Sequence, residues 1–334
     1  VHAGWDEPST LPSGSLERRL IEDCRDGTLD NHSLLTASLI AGGEKDAAVV
    51  QADEAKFRAA AASLLRTAER QKLRFNSRQE TVTTQRYEAN VGADRSAWTE
   101  THGRLVLEAL HEHMLIGQYR ADCSNLHETI RRGDYNCVTA TIAYQILCAS
   151  QGVGTHAVAV PAHVFSRLDE CAMDVQTTCS TWLGPGKGRH SSVETDHRRS
   201  LNEVQLLGKV YYNRGVIALH ASDFDEAVRV LRISLVLDPG DMIAKNNLLA
   251  AINNWSLDES SRGRYASASE LLTIGRDLDA DYAPLRANDL HVHQRWVQRL
   301  CRARRFSFAM GILEDGLRRR PDAKLFDNGR YVVL

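Results

Sequence analysis

Between Arg131 and Thr178 the chain gathers the residue types of thiol chemistry. "RRGDYNCVTATIAYQILCASQG" carries Cys137, and "THAVAVPAHVFSRLDECAMDVQTT" follows with His163 and Asp174. A thiol nucleophile needs a base to take its proton, and the base needs a third group to fix its tautomer, so this order is that of a Cys-His-Asp triad. The stretch from Asn136 to Gly152 reads as a helix with Val138, Ile142, Ile146 and Leu147 on one face, Asp134 and Asn136 as candidate caps, and Gly152 as the stop. Cys137 in the first turn therefore meets free N–H groups and the positive end of the helix dipole. Both favour a thiolate below the ordinary value of about 8.5. The same amides are placed to stabilise an oxyanion. Cys148, in mid-helix, has neither advantage. The competing reading of Cys137 is a small core hydrophobe.

Three strands must position the other two groups: about His156 to Val160, His163 to Leu168, and Cys171 to Gln176. With Asp169-Glu170 as the hairpin turn, Leu168 opposes Cys171 and Phe165 opposes Asp174. His163, Phe165, Asp174 and Gln176 then share one face. In that register His163 and Asp174 are diagonal neighbours about 7–8 Å apart at Cβ, and Gln176 stands opposite the histidine as a second orienter. A slip of one residue would move Asp174 to the other face. Asn136, Gln176 and Asn125 are candidates for the oxyanion site or the cleft wall, with a plain structural hydrogen-bonding role equally open to Asn125 and Gln176. His156, one strand earlier, is a weaker candidate base.

A helix-borne cysteine followed by strand-borne histidine and aspartate resembles the transglutaminase-like superfamily, which includes papain-like cysteine peptidases, transglutaminases and arylamine N-acetyltransferases. The closer resemblance is to bacterial proteins that join a transglutaminase-like domain to C-terminal tetratricopeptide repeats. It rests on "YRADCSNLHETIRRGDYNC" and "VAVPAHVFSRL" and extends from about Leu34 to Pro321. Two departures stand out: Asp134 and Tyr135 separate Gly133 from Asn136, and Ala162 takes the place of a glycine before the histidine. Members of that family are largely of undefined activity, so the resemblance bears more on fold than on reaction. It implies an α+β papain/transglutaminase-like domain with a helical N-terminal extension, followed by an all-α tetratricopeptide-like solenoid.

The solenoid has its own pattern. "DFDEAVRVLRISLVLDPGD", "GRYASASELLTIGRDLDADYA" and "RRFSFAMGILEDGLRRRPDA" align an aromatic (Phe224, Tyr265, Phe306), a small residue (Ala227, Ala268, Ala309), a leucine (Leu231, Leu272, Leu313) and a second small residue (Ser234, Gly275, Gly316) at a spacing of 41 residues. Small residues let paired helices approach, the larger ones fill the groove, and Pro239 and Pro321 end the first and third units. The period exceeds the roughly 34 residues of a tetratricopeptide unit, and "NNWSLDESSRG" reads as an insertion. Trp255 and Trp296, inside this region, read as packing residues. The expected organisation is a helical extension over residues 1–75, the catalytic core over 76–180, a linker over 181–204 and three repeats over 205–334. Within it, residues 76–97 read as a long loop. "GPGKG" lacks the flanking glycine and the Ser/Thr of a phosphate loop.

A chain of 334 residues with 43% hydrophobic and 25% charged residues has the balance of a multidomain globular protein. Its net charge of -2 gives no field for nucleic acid, and no window approaches the roughly 20 apolar residues of a membrane span. The seven scattered cysteines point to free thiols and a reducing, cytoplasmic compartment rather than a disulfide framework. The chain starts at Val1 with no signal-peptide pattern, and what precedes it is open. "HEH" at His111–His113 and "HVH" at His291–His293 place histidines two apart, on different sides of a helix, so neither forms a metal site. No metal and no cofactor is expected. Two functions follow. One is thiol-dependent acyl transfer, covering amide or peptide hydrolysis, deamidation and transamidation, with the repeats binding a protein or peptide partner. The alternative is an inactive scaffold in which the repeats carry the function.

Overall fold

The computed structural model describes residues 12–79, 91–180 and 198–320. Among these, helices predominate: α1 (Leu16–Asp23), α2 (Leu34–Ala41), α3 (Ala47–Gln79), α4 (Val91–His113), α5 (Leu126–Arg132), α6 (Cys137–Ser150), α7 (Glu203–His220), α8 (Phe224–Leu237), α9 (Met242–Ser261), α10 (Tyr265–Leu278), α11 (Ala283–Arg302) and α12 (Phe306–Arg319). Four strands, β1 (Thr155–Val160), β2 (His163–Leu168), β3 (Met173–Val175) and β4 (Arg199–Leu201), form one antiparallel sheet in the order β3-β2-β1-β4. The expected fold class is thereby corrected. The chain is mostly α-helical with a small sheet, and a papain-like α+β core is not shown. Two of the four strands are only three residues long, too short to build a sheet layer of their own.

The chain divides into two compact units. One comprises the chain as far as Arg214 together with Ile233–Gly240, and the other comprises Gly215–Arg232 and the chain from Asp241 onward. In the first unit α6 is the axis, packed against α2, α4, β1 and β2. It is buried almost all round: Val138, Ile142, Tyr144, Leu147 and Cys148 have lost nearly all contact with solvent. An all-round apolar helix belongs at the centre of a core rather than at its edge. Gly103 of α4 permits the close approach, since a Cβ there would lie 2.9 Å from both the Leu168 side chain and the Tyr144 hydroxyl. That hydroxyl donates to the Gly103 carbonyl at 3.1 Å.

Several boundaries differ from expectation. Residues 76–79 continue α3 and residues 91–97 begin α4, where a loop was expected; residues 80–90 between them lie outside the described residues. Once "EAKFRAAAASLLRTAER" has nucleated a helix, each further residue adds a hydrogen bond at little cost, so a polar continuation remains helical. The expected linker also hides structure. Residues 181–197, including the phosphate-loop-like glycines, lie outside the described residues, but Arg199–Leu201 forms β4 and pairs with β1.

In the second unit, α10 packs against α9 and α11, and α11 against α12. The 41-residue spacing reappears as helix starts, at Phe224, Tyr265 and Phe306 and again at Met242 and Ala283. Ala227, Ala268, Ala309, Leu231 and Leu272 are completely buried, and Leu313 nearly so. Gly275 sits where a Cβ would meet Leu285 Cδ1 at 2.7 Å. "NNWSLDESSRG", expected as an insertion, instead runs on through the end of α9. The aromatic position is not uniform. Tyr265 is buried and stacks on Trp296 of α11 at 6.3 Å, whereas Phe306 is 48% exposed.

Candidate functional site

Cys137 is the first residue of α6, and the preceding segment is fastened at every step. Gly133 ends α5 with φ 75°, the left-handed conformation that glycine adopts without steric cost. Asp134 Oδ1 accepts the Gln118 N–H at 2.8 Å. Tyr135 pairs with Tyr119 in a parallel bridge, with Arg120 N–H donating to the Tyr135 carbonyl at 2.8 Å and Tyr135 N–H to the Gln118 carbonyl at 3.1 Å. Asn136, 1% exposed, then closes a capping box. Its Oδ1 accepts the N–H groups of Val138 and Thr139, each at 2.9 Å, while Thr139 Oγ1 accepts the Asn136 N–H.

This cap changes the expected electrostatics. Two of the first-turn amides foreseen as oxyanion donors, those of Val138 and Thr139, already bond Asn136 Oδ1. The partly buried thiol of Cys137 is not held low, as expected from the helix dipole, but lies above its ordinary value. Burial is the largest cause and raises it. The N–H groups of Val164, Cys137 and Val138 and the hydroxyl of Tyr119 pull the other way without prevailing. Cys137 is therefore a thiol at neutral pH. Cys148, fully buried on the same helix, is pushed up to about 12.

His163 opens β2, one residue before the Val164 amide that faces the Cys137 sulfur. Its ring packs beside Phe165 at 6.1 Å, and its Nε2 lies 2.9 Å from Gln176 Oε1. The hairpin register explains this partner. Leu168 opposes Met173 and Arg167 opposes Asp174, a shift of two residues from the expected register. A two-residue shift preserves the face, so His163, Phe165, Asp174 and Gln176 remain on one side of the sheet, but it moves Gln176 into the diagonal position expected of Asp174. Asp174 lies beside two arginines instead: Arg167 NH1 donates to it at 2.7 Å, and Arg198 NH2 donates to both carboxylate oxygens at 2.8 and 2.7 Å. The register differs because the turn takes in Asp169–Ala172 rather than two residues, with Ala172 at φ 51°.

Other candidates have structural partners. Asn125 caps α5, its Oδ1 accepting the His127 N–H at 2.8 Å. His156 Nδ1 is paired with Asp169 at 2.6 Å. His111 Nε2 donates to the Thr177 carbonyl at 3.0 Å, and burial lowers its pKa. Buried His293 lies 2.9 Å from Asp289 in the second unit. No group of residues suited to a metal ion occurs among the described residues, and no described helix is long and apolar enough to cross a membrane.

Sequence reasoning missed Tyr119. Its hydroxyl is near enough to the Cys137 thiol to favour the ionised sulfur, its ring stands edge-on to Tyr135 at 5.9 Å, and it is 53% exposed. Nothing in "LIGQYRADC" signals the contact, because it depends on a bridge between segments outside any regular element. The chemistry on offer is a half-buried thiol with the Val164 amide and the Tyr119 hydroxyl near it, and an imidazole one residue before Val164 held by the Gln176 amide. No protein-family model matches the chain, and no curated protein matches it.

Proposed function

We propose that the chain is a thiol-dependent acyl-transfer enzyme in which Cys137 is the nucleophile, His163 its base and Gln176 the residue that orients the imidazole. The observation that carries this reading is the 2.9 Å contact between His163 Nε2 and Gln176 Oε1, supported by the amide of the next residue, Val164, which favours the ionised Cys137 sulfur. An amide oxygen only accepts, so in this reading Nε2 carries the proton of the neutral ring and Nδ1 is the basic nitrogen. Because burial keeps the thiol protonated, the proton leaves as the bond forms. Cys137 Sγ attacks a carbonyl carbon, His163 takes the thiol proton and returns it to the departing amine or alcohol, and water or an amine resolves the acyl-enzyme. In this reading the Tyr119 hydroxyl and the Val164 N–H, both acting on the Cys137 sulfur, serve as the oxyanion donors. This assignment places Asp174 outside the relay, as a carboxylate that fixes the sheet face through its arginines.

The test is acylation by p-nitrophenyl acetate, with the acetyl group located by peptide mass spectrometry. The expected label is on Cys137 and not on Cys148, with a rate about 100-fold lower in His163→Ala and about tenfold lower in Gln176→Leu. An unchanged rate in His163→Ala, with labelling still lost in Cys137→Ser, would refute the base assignment. The scaffold reading is favoured by the raised thiol and by the pairing of Asp174 with Arg167 and Arg198; under it the reagent leaves Cys137 unlabelled.

A further inference from the structure

On the side of α6 turned toward α2 and α3 lies a cavity of 460 Å³, within the range of small-molecule pockets. Leu34, Phe57 and Leu147 supply much of its apolar wall. Most of its polar lining is already satisfied. Ser33 caps α2, Ser150 Oγ donates to the Leu147 carbonyl at 2.6 Å, and Arg58 lies 3.6 Å from Glu54 with its side chain largely in solvent.

Gln145 is the exception. It lines the cavity, is 6% exposed, and its Nε2 is buried with no acceptor among the described residues. A buried amide donor without a partner is destabilising, and a turn of the Gln145 side-chain amide that brings Nε2 to the cavity wall would let it meet an oxygen acceptor there. The second polar group is Glu203, whose carboxyl burial shifts toward the neutral form. An anionic ligand would meet this carboxyl, and Arg58, the basic residue of the lining, is not buried with it. The lining thus selects against a charge and for an uncharged acceptor.

We propose that this cavity binds a neutral, largely apolar small molecule carrying a carbonyl group, whose oxygen accepts the Gln145 Nε2–H. The site lies on the flank of α6 rather than at its Cys137 end, and it stands whether or not Cys137 is a nucleophile.

The experiment compares acetophenone, ethylbenzene and benzoate on the full chain, by saturation-transfer NMR and by the shift in melting temperature. The ketone and the hydrocarbon have nearly the same shape and differ in the acceptor. Acetophenone is expected to bind about tenfold tighter than ethylbenzene, the ratio a well-made hydrogen bond gives, and benzoate more weakly than either. In Gln145→Leu the ketone should lose its advantage, and Ala61→Trp, which fills the cavity from α3, should abolish binding of all three. Equal binding of ketone and hydrocarbon to the wild type would overturn the proposal without recourse to any variant. Retention of acetophenone binding in a folded Ala61→Trp chain would overturn it as well.

Discussion

Asp53 of α3 is the group at which the approach to Cys137 is most open to a quantitative test. It is completely buried and receives three partners: His127 Nδ1–H, Arg131 NH2 at 2.7 Å and Lys56 Nζ at 3.2 Å. His127 and Arg131 belong to α5, which ends at Gly133 and leads directly into the cysteine segment. Burial alone would raise the Asp53 pKa. The hydrogen bonds from His127, Arg131 and Lys56 and the charge of Arg131 outweigh it, taking the value from 3.8 down to about 2. At 1.36 kcal/mol per pH unit that difference is worth about 2 kcal/mol of stability. The folded pKa is the lower one, so the contribution is present in full above pH 4 and disappears as the pH falls toward 2. Asp53→Asn keeps the shape and removes the charge. Urea unfolding of both proteins should show a deficit of about 2 kcal/mol at pH 7 that closes between pH 4 and 2, with hydrogen exchange localising the loss to α5 peptides. A deficit independent of pH, or one below about 0.5 kcal/mol, would refute the argument that ionic hydrogen bonding at Asp53 holds α5 in place.

The cap of α6 gives a second test: Asn136→Ala strands two amides, on Val138 and Thr139, both of them buried residues, and should cost about 2 kcal/mol in urea unfolding, more than Asn136→Asp, which keeps an acceptor. Ala162 turns the β1–β2 hairpin at φ 60°, so Ala162→Gly should raise stability by about 0.5 kcal/mol, the strain relief being partly offset by the freer unfolded chain. Gly275→Ala would place a methyl 2.7 Å from Leu285 Cδ1 and 3.2 Å from Ile252 Cγ2, and calorimetry should show a loss of about 1–3 kcal/mol.

The sequence by itself determined the helix of Cys137 and its glycine stop and narrowed the cap to Asp134 or Asn136, because these are local: cap, period and breaker lie within one segment and need no distant partner. It determined, too, the 41-residue rhythm of the later helices, since steric need for small residues recurs wherever two helices cross. The common face of His163, Asp174 and Gln176 was legible for the same reason, as strand parity survives a shift of two. Which of the two polar residues meets the histidine was not legible, because a turn two residues longer exchanges Gln176 for Asp174 without altering the pattern of residue types. Fold class was misread because the short strands resemble larger ones in composition, and only their pairing shows how small the sheet is. The state of the thiol belongs to the tertiary structure alone. The local helix start favours a thiolate, but desolvation depends on everything packed around the sulfur, and at Cys137 the packing outweighs the helix.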